Sequence, residues 1–357
     1  MAEIKPKILV VSDIHLGSLD CEKDQFIQFL REILSGAFGE ELNSLLILGD
    51  FIDLCTDVPR ILLERQKVQE IFSLLLEIKQ RLNLIFVLGN HEISVIGNYD
   101  EKFKRRKEKY LRRFQNSDYV ELFDNDIYCQ YLLLKKGNSE DLLLLYDTRD
   151  QIEEDPINKI KIGNLELNED YRCFMTHGYQ FDGDVYRFFV GQIWKSLISN
   201  KKFEIKETFD YFWNEVIKNG KKIKPVTVKM MIEDLANLKN VSLESQQALF
   251  SELSSLEFNL IKANMRVMKK YEHASKPDYY FGEIKRFLED DDYEFSRINH
   301  LIYGHSHRKQ EYNGIVNNHL IKIVNDGSWQ HTEPSYAEIY KEGRIKLKNY
   351  EFKPLIE

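Results

Sequence analysis

The chain has 357 residues, 50 Lys and Arg against 58 Asp and Glu, and a formal net charge of −8. That acidic balance argues against a dedicated nucleic-acid binder, which carries a basic surface, but leaves a nuclease open, because metal ions at a site supply local positive charge. With 43% hydrophobic residues the chain is apolar enough for a sizeable core, yet no apolar run approaches the roughly 18–20 residues that span a bilayer.

Lys7–Ser12 (KILVVS) reads as a short buried strand. Residues 22–35 follow with helical periodicity and place Phe26, Phe29, Leu30 and Ile33 on one face. Ser44–Leu48 (SLLIL) is a second buried strand, residues 59–80 form one long amphipathic helix, and Leu84–Leu88 (LIFVL) is a third strand. Short all-apolar strands between helices indicate a sheet covered on both faces. Residues 99–114 are expected to be a strongly charged helix, with a basic run from Lys102 to Arg113 that reads as a solvated face or as a track for a polyanion. Tyr128–Leu134 and Leu142–Tyr146 flank Lys136-Gly137-Asn138 as a hairpin, and Tyr171–Thr176 is one more strand leading into His177.

From about Val185 to Glu294 helical signals replace strand signals. Leu249, Leu253, Leu256, Leu260, Ala263 and Val267 form an apolar seam behind Ser242 as N-cap, best read as an intramolecular packing stripe. Strands resume at His300–Tyr303, Leu320–Asn325, Tyr336–Tyr340 and Arg344–Tyr350. The expected organisation is therefore an α/β core in two parts, residues 1–184 and 296–357, with an all-helical insertion at 185–295. The insertion leaves after one site motif and ends before another, so it is expected to form a lid or a helix-packed wall, with Tyr186, Phe188, Phe189 and Trp194 as candidate lining residues. Cys21, Cys55, Cys129 and Cys173 match no metal or redox spacing, and the first residues lack a signal-peptide core, so a cytoplasmic location is expected.

Five polar clusters each follow directly on an expected strand. They are Asp13-Ile14-His15, Gly49-Asp50-Phe51-Ile52-Asp53, Gly89-Asn90-His91-Glu92, His177-Gly178 and Gly304-His305-Ser306-His307. Strand ends are where open α/β sheets hold their ligands. In Asp13-x-His15 and His305-x-His307, residues two apart point to one side if the backbone stays extended. The glycines at 49, 89, 178 and 304 suit sharp turns and close approach to a small ion. Asp13, His15, Asp50, Asn90, His177, His305 and His307 supply carboxylate, amide and imidazole donors without a thiolate. That mixture suits Mn²⁺, Fe, Zn²⁺ or Ni²⁺ better than Ca²⁺. Seven donors exceed one tetrahedral ion and suit two ions sharing a carboxylate, a recurrent device for phosphate-ester hydrolysis in which a metal-bound hydroxide attacks.

The ordered set D-x-H, GD-x-x-D, GNHE, HG and GHSH resembles that of the calcineurin-like metallophosphoesterases, from residue 13 to residue 307. The resemblance implies a four-layer α/β/β/α sandwich. It assigns Asp13, His15, Asp50 and His307 to one metal, and Asp50, Asn90, His177 and His305 to the other, with Asp50 as the bridge. It makes His91 the residue that contacts phosphate and protonates the leaving oxygen, and Asp53 its partner. Asp182 and Asp326 stand as candidate partners of the ligands or as turn residues.

Protein Ser/Thr phosphatases of similar pattern carry an Arg after GD-x-x-D and another before GNH, where this chain has Leu54 and Leu88. Ser12 to Gly17 is more similar to the bacterial branches, which include repair exonucleases and hydrolases of UDP-diacylglucosamine, and His177 to Asp182 is similar to the HGH-x-x-D of the latter. The expected activity is dinuclear-metal-dependent hydrolysis of a phosphomonoester or phosphodiester. The alternatives are a nuclease acting on DNA, a pyrophosphohydrolase of a nucleotide-linked substrate, and a non-catalytic scaffold. The intact ligand set speaks against the scaffold.

Overall fold

The structure, a computed structural model, describes residues 4–18, 20–53, 59–93, 99–148, 150–152, 155–163, 165–181, 277–289, 297–316, 318–330 and 333–352. The apolar seam at 249–267, the aromatic residues 186–194, Leu54, Cys55 and Asp182 lie outside these residues.

In chain order the elements are β1 Ile8–Val11, α1 Lys23–Leu34, β2 Ser44–Leu48, α2 Pro59–Leu63, α3 Gln66–Arg81, β3 Asn83–Val87 and α4 Tyr99–Arg112. Then follow β4 Tyr128–Cys129, β5 Tyr131–Lys135, β6 Leu142–Tyr146, β7 Asn158–Lys161, β8 Arg172–Thr176 and α5 Pro277–Glu289. The last are β9 His300–Tyr303, β10 Gln310–Val316, β11 His319–Asn325, β12 Ser335–Ile339 and β13 Ile345–Asn349. One sheet has the order β13-β12-β1-β2-β3-β4, parallel from β1 to β4. The other has the order β10-β11-β9-β8-β5-β6-β7, with β11, β9 and β8 parallel.

The two-residue period of a strand explains why both sheets are built from near-continuous apolar runs. Leu9, Val11, Leu45 and Ile47 face the helix side, where they meet Phe26, Phe29 and Leu30 of α1 and Phe72 of α3. Their neighbours Ile8, Val10, Leu46 and Leu48 face the second sheet and meet Leu132, Leu134, Met175 and Ile302. On that sheet's far side, Tyr131, Leu133, Phe174 and Leu301 pack on Ile284 and Leu288 of α5. The result is a four-layer α/β/β/α sandwich. Helix α5 falls in the segment expected to be inserted, and it packs directly on the core as the outer layer. No helix among the described residues is long and apolar enough to cross a membrane.

Two expectations are corrected. The single helix expected over 59–80 is two helices, broken at Glu64 and Arg65, and Arg65 is extended (φ −82°, ψ 122°). The break resets the helical phase. Leu62 precedes Val68 by six residues, about 600° of turn at 3.6 residues per turn, so in a continuous helix it would sit about 120° off the stripe of Val68, Ile71, Leu75 and Ile78. With the break, both Leu62 and Val68 are fully buried. The strand expected over Tyr128–Leu134 is divided at Gln130: β4 pairs with β3 in one sheet, and β5 pairs with β6 and β8 in the other. The chain thus crosses between layers at this point. Strands β7 and β10, which the sequence reading did not assign, are edge strands of the second sheet; their polar, half-exposed sequences NKIK and QEYNGIV suit an edge and hide the apolar pattern.

Candidate metal centre

Each sequence-identified cluster lies at the carboxyl end of a strand. Asp13 and His15 follow β1, Asp50 and Asp53 follow β2, and Asn90 and His91 follow β3; His177 follows β8, and His305 and His307 follow β9. The site therefore draws on both sheets. The backbone does not stay extended there, which corrects the expectation for Asp13-x-His15 and His305-x-His307. Asp13 (φ 51°), His15 (52°), Asp50 (49°), His305 (67°) and His307 (55°) all adopt the left-handed conformation. Each such residue costs about 1–2 kcal/mol, so the five together store on the order of 5 kcal/mol or more. Hydrogen bonds hold the turns: Asp13 N–H donates to Gly49 O (3.0 Å), His15 N–H to Asp50 O (2.8 Å) and His305 N–H to Asp13 Oδ2 (2.7 Å).

Two groups of donor atoms result. In the first, His15 Nε2 lies 3.1 Å from His307 Nε2, and His307 Nε2 lies 3.1 Å from Asp13 Oδ1. In the second, His177 Nε2 lies 3.2 Å from Asp50 Oδ2, 3.0 Å from Asn90 Oδ1 and 3.3 Å from His305 Nδ1. Asp50 Oδ2 is also 3.6 Å from His15 Nε2, so the same carboxylate oxygen reaches both groups. Asp13, His15, Asp50, Asn90 and His177 are buried, while His91, His305 and His307 are partly exposed and mark the side open to solvent.

These atoms fit a metal ion better than they fit one another. Asp13 Oδ1 and His15 Nδ1 are buried without a hydrogen bond among the described residues. Burial, and then the neighbouring His91, hold the His15 imidazole below its ordinary pKa, which favours the neutral ring that can ligate a metal ion. Burial alone would raise Asp13 and Asp50, but the surrounding imidazoles outweigh it and hold both carboxylates well below their usual range. His177 Nδ1–H donates to the Leu48 carbonyl (2.7 Å), which fixes the tautomer and turns Nε2 to the site. Burial opposes a charge on this ring, yet Asp50 and Asp13 push it up to about 9, so this point attracts a cation, whether a proton or a metal. The donors are oxygen and imidazole nitrogen throughout, the set expected of Mn²⁺, Fe or Zn²⁺.

A third grouping, His15, Asp53 and His91, lies within ligand range. There His91 Nδ1 is bonded to Asp53 Oδ1 at 2.9 Å, which occupies those atoms with each other. The His91 backbone N–H donates to Asp50 Oδ1 (2.9 Å), and His91 Nε2 stands 3.7 Å from Asp50 Oδ2, facing the donor groups.

Glu92, quoted in the GNHE motif with no role, has a specific one. Its Oε2 accepts from Gly89 N–H (2.9 Å) and Asp50 N–H (3.1 Å), and its Oε1 accepts from Ile52 N–H (2.9 Å). It ties the Asp50 loop to the Asn90 loop. Burial, and then the charge of Asp50, push its carboxyl up to about 7. An acidic residue three positions after Gly89 was the available signal. Asp326 is buried against Ser12. Two of the glycines make room for carboxylates: a Cβ at Gly89 would stand 2.1 Å from Asp50 Oδ1, and one at Gly304 would stand 2.3 Å from Asp13 Oδ2. The basic run is not one solvated face. Lys107 is buried, bonding Asp147 at 2.7 Å and the Tyr128 carbonyl at 3.1 Å, while Lys104, Arg105, Lys109 and Arg112 are exposed.

Residues 6–309 match a family model described as calcineurin-like phosphoesterase. A comparison with curated proteins finds no match. Among solved structures, the 5'-nucleotidase from Candida albicans SC5314 is similar at 14% identity and a TM-score of 0.33, over 98% of this chain and 52% of that one. The chain thus spans about half the length of that structure.

Proposed function

We propose that this chain, which belongs to the calcineurin-like phosphoesterase family, is a metal-dependent phosphoric-ester hydrolase that uses two divalent ions to hydrolyse a small or medium-sized phosphomonoester or phosphodiester. The observation that carries the dinuclear reading is the position of Asp50 Oδ2, within 3.6 Å of His15 Nε2 and 3.2 Å of His177 Nε2, so that one carboxylate serves two donor groups. In this reading Asp13, His15, Asp50 and His307 hold one ion, and Asp50, Asn90, His177 and His305 hold the other. When bound, such a pair supplies an activated water and neutralises charge on the phosphoryl oxygens. Manganese is the favoured metal on the donor chemistry.

The chain's own residues then orient substrate and move a proton. His91 donates Nδ1–H to Asp53 Oδ1 and turns Nε2 to the site, so a protonated His91 delivers its Nε2 proton to the leaving oxygen. Asp53 supports the charged imidazole from the far side. Leu88, where phosphoprotein phosphatases of similar motif carry an Arg, is buried in the helix-side core, which supports a substrate other than a phosphoprotein. The division into a core at 1–184 and 296–357 with an insertion between belongs to the same reading, with α5 of the insertion packed on the core as its outer layer. A cytoplasmic location is proposed on the free, buried thiols of Cys21, Cys129 and Cys173.

The test is a Mn²⁺-supplemented screen of the metal-free protein across aryl phosphates, bis-aryl phosphate diesters, nucleotides and single- and double-stranded DNA. Turnover on the small esters, about two Mn²⁺ bound per chain and loss of both with Asp50→Asn are expected. Turnover confined to DNA would replace this reading with a nuclease. Full turnover in chelator, or by Asp50→Asn, would overturn it.

A further inference from the structure

The loop from Asn325 to Trp329 leaves β11 of one sheet, leads to β12 of the other, and touches both halves of the site. Asn325 Nδ2 donates to the Gly304 carbonyl (2.7 Å) and to Ser306 Oγ (2.9 Å), inside the loop that carries His305 and His307. Trp329 N–H donates to the Asp13 carbonyl (3.1 Å). Between them Asp326 is fully buried, with Oδ1 2.7 Å from Ser12 Oγ, and Ser12 Oγ lies 2.5 Å from Asp13 Oδ2. We propose that Asp326 is a positioning residue that acts through Ser12 to engage Asp13 Oδ2 and present Asp13 Oδ1 to the metal. This rests on the ligand assignment above.

Counting protons carries the argument. The Ser12 hydroxyl has one proton to donate, yet two carboxylates stand within bonding distance of its oxygen, with the Gly327 carbonyl more remote at 3.4 Å. Asp13 Oδ2 also accepts from His305 N–H at 2.7 Å, so Asp13 is the accepting end of the chain. The chain closes if Asp326 carries a proton and donates it to Ser12 Oγ, while Ser12 donates to Asp13. A neutral Asp326 also accounts for its buried Oδ2, which has no hydrogen bond among the described residues, because an ionised oxygen there would be costly. Burial and the charge of Asp13 press the Asp326 carboxyl in the same direction. With Oδ2 engaged by two donors, Oδ1 is the oxygen left to face His307 Nε2, 3.1 Å away. The ligand's orientation is thus set from the opposite sheet.

The test is calorimetric titration of Mn²⁺ into the full-length, metal-free protein. The variants are Ser12→Ala, Asp326→Ala, the double variant and Asp326→Asn, with Asp50→Asn as reference. Ser12→Ala and Asp326→Ala are expected to weaken Mn²⁺ binding by about 10–100-fold. The double variant should be no weaker than either single one, because both remove the same chain. Asp326→Asn should bind close to wild type, since its amide N–H can take over the donation to Ser12 Oγ. A purely structural buried acid would not be rescued so selectively. If Asp326→Ala does not fold, judged by circular dichroism, Asp326→Asn decides: near-wild-type affinity supports the chain, and a loss as large as that of Ser12→Ala overturns it. Wild-type affinity in Asp326→Ala, or strict additivity in the double variant, also overturns it. If Asp50→Asn binds Mn²⁺ as wild type does, the metal assignment itself fails and takes this inference with it. If Asp50→Asn loses metal and the Asp326 variants do not, this inference alone falls.

Discussion

Gly89→Ala tests whether the metal centre depends on backbone packed directly against its central carboxylate. Gly89 is not in the left-handed conformation, so its lack of a side chain answers a demand for space. A Cβ there would lie 2.1 Å from Asp50 Oδ1 and 2.3 Å from the Asp50 backbone nitrogen, against an ordinary contact of about 3.4 Å. Relief requires Asp50 or the Gly89 backbone to move by about 1 Å. The bond from His91 N–H to Asp50 Oδ1, now 2.9 Å, cannot survive such a shift. Overpacking costs about 1–3 kcal/mol, and a hydrogen bond to a charged group about 1.5–3 kcal/mol. The sum, about 2.5–6 kcal/mol, is a large share of a typical domain stability of about 5–15 kcal/mol. Urea unfolding of the metal-free protein measures the first effect, and calorimetric Mn²⁺ titration measures the displacement of Asp50. The expected result is a marked loss of stability together with loss of Mn²⁺ affinity. A variant within about 0.5 kcal/mol of wild type, binding Mn²⁺ with unchanged affinity and stoichiometry, would refute the reasoning.

His91→Asn is expected to keep its metal and lose about 10²–10⁴ in turnover on esters with poor leaving groups; an equal loss on an activated aryl ester would argue against a proton-donor role. Asp53→Asn removes the charge that supports a protonated His91, so the limb on which activity falls with rising pH should move to lower pH in the pH–rate profile, and an unmoved limb would separate Asp53 from the proton transfer. Burial, and then the charge of Lys322, push His300 down to about 4 where it stacks on Tyr171. Its folded pKa is below the unfolded value, so its neutral form stabilises the fold above about pH 6.5 and that contribution fades as pH falls toward 4. The loss at pH 5 is up to about 2 kcal/mol, an upper figure because the ring keeps some solvent contact. Urea titrations at pH 7 and pH 5 should show a smaller drop for His300→Phe than for wild type, and an identical drop would locate the acid sensitivity elsewhere. Lys107→Met leaves the Asp147 carboxylate buried without its cation and should cost about 3–5 kcal/mol in the same assay, with recovery in the double variant Lys107→Met/Asp147→Leu; no recovery would mean that the Lys107 contact to the Tyr128 carbonyl dominates.

The strands buried on both faces were legible because each carries a near-continuous apolar run: Ser44–Leu48 and His300–Tyr303 are found with the bounds read from the sequence. Edge strands escape this logic, since β7 and β10 are half exposed and carry no apolar run. The division at Gln130 escapes it too, because Tyr128 to Leu134 satisfies one apolar period whether the chain stays in a sheet or changes sheets. At the site, metal chemistry admits few donor types, so Asp13, His15, Asp50, Asn90, His177, His305 and His307 could be named from residue type and their place after strands. Orientation was another matter. The left-handed turns at Asp13, His15, Asp50, His305 and His307 have no glycine or asparagine to announce them. They persist because the surroundings hold them, such as the Gly49 and Asp50 carbonyls that receive Asp13 and His15 N–H and the Glu92 carboxylate that receives Asp50 N–H. The partner of Ser12 lies 314 residues away. A spacing of two residues suggested an extended chain with side chains on one face, which is the unstrained way to bring Asp13 and His15 together. The fold takes the strained way, and that is possible because neighbouring loops of the first sheet receive the Asp13 and His15 N–H groups, while Asp13 Oδ2 in turn receives the His305 N–H from the second sheet.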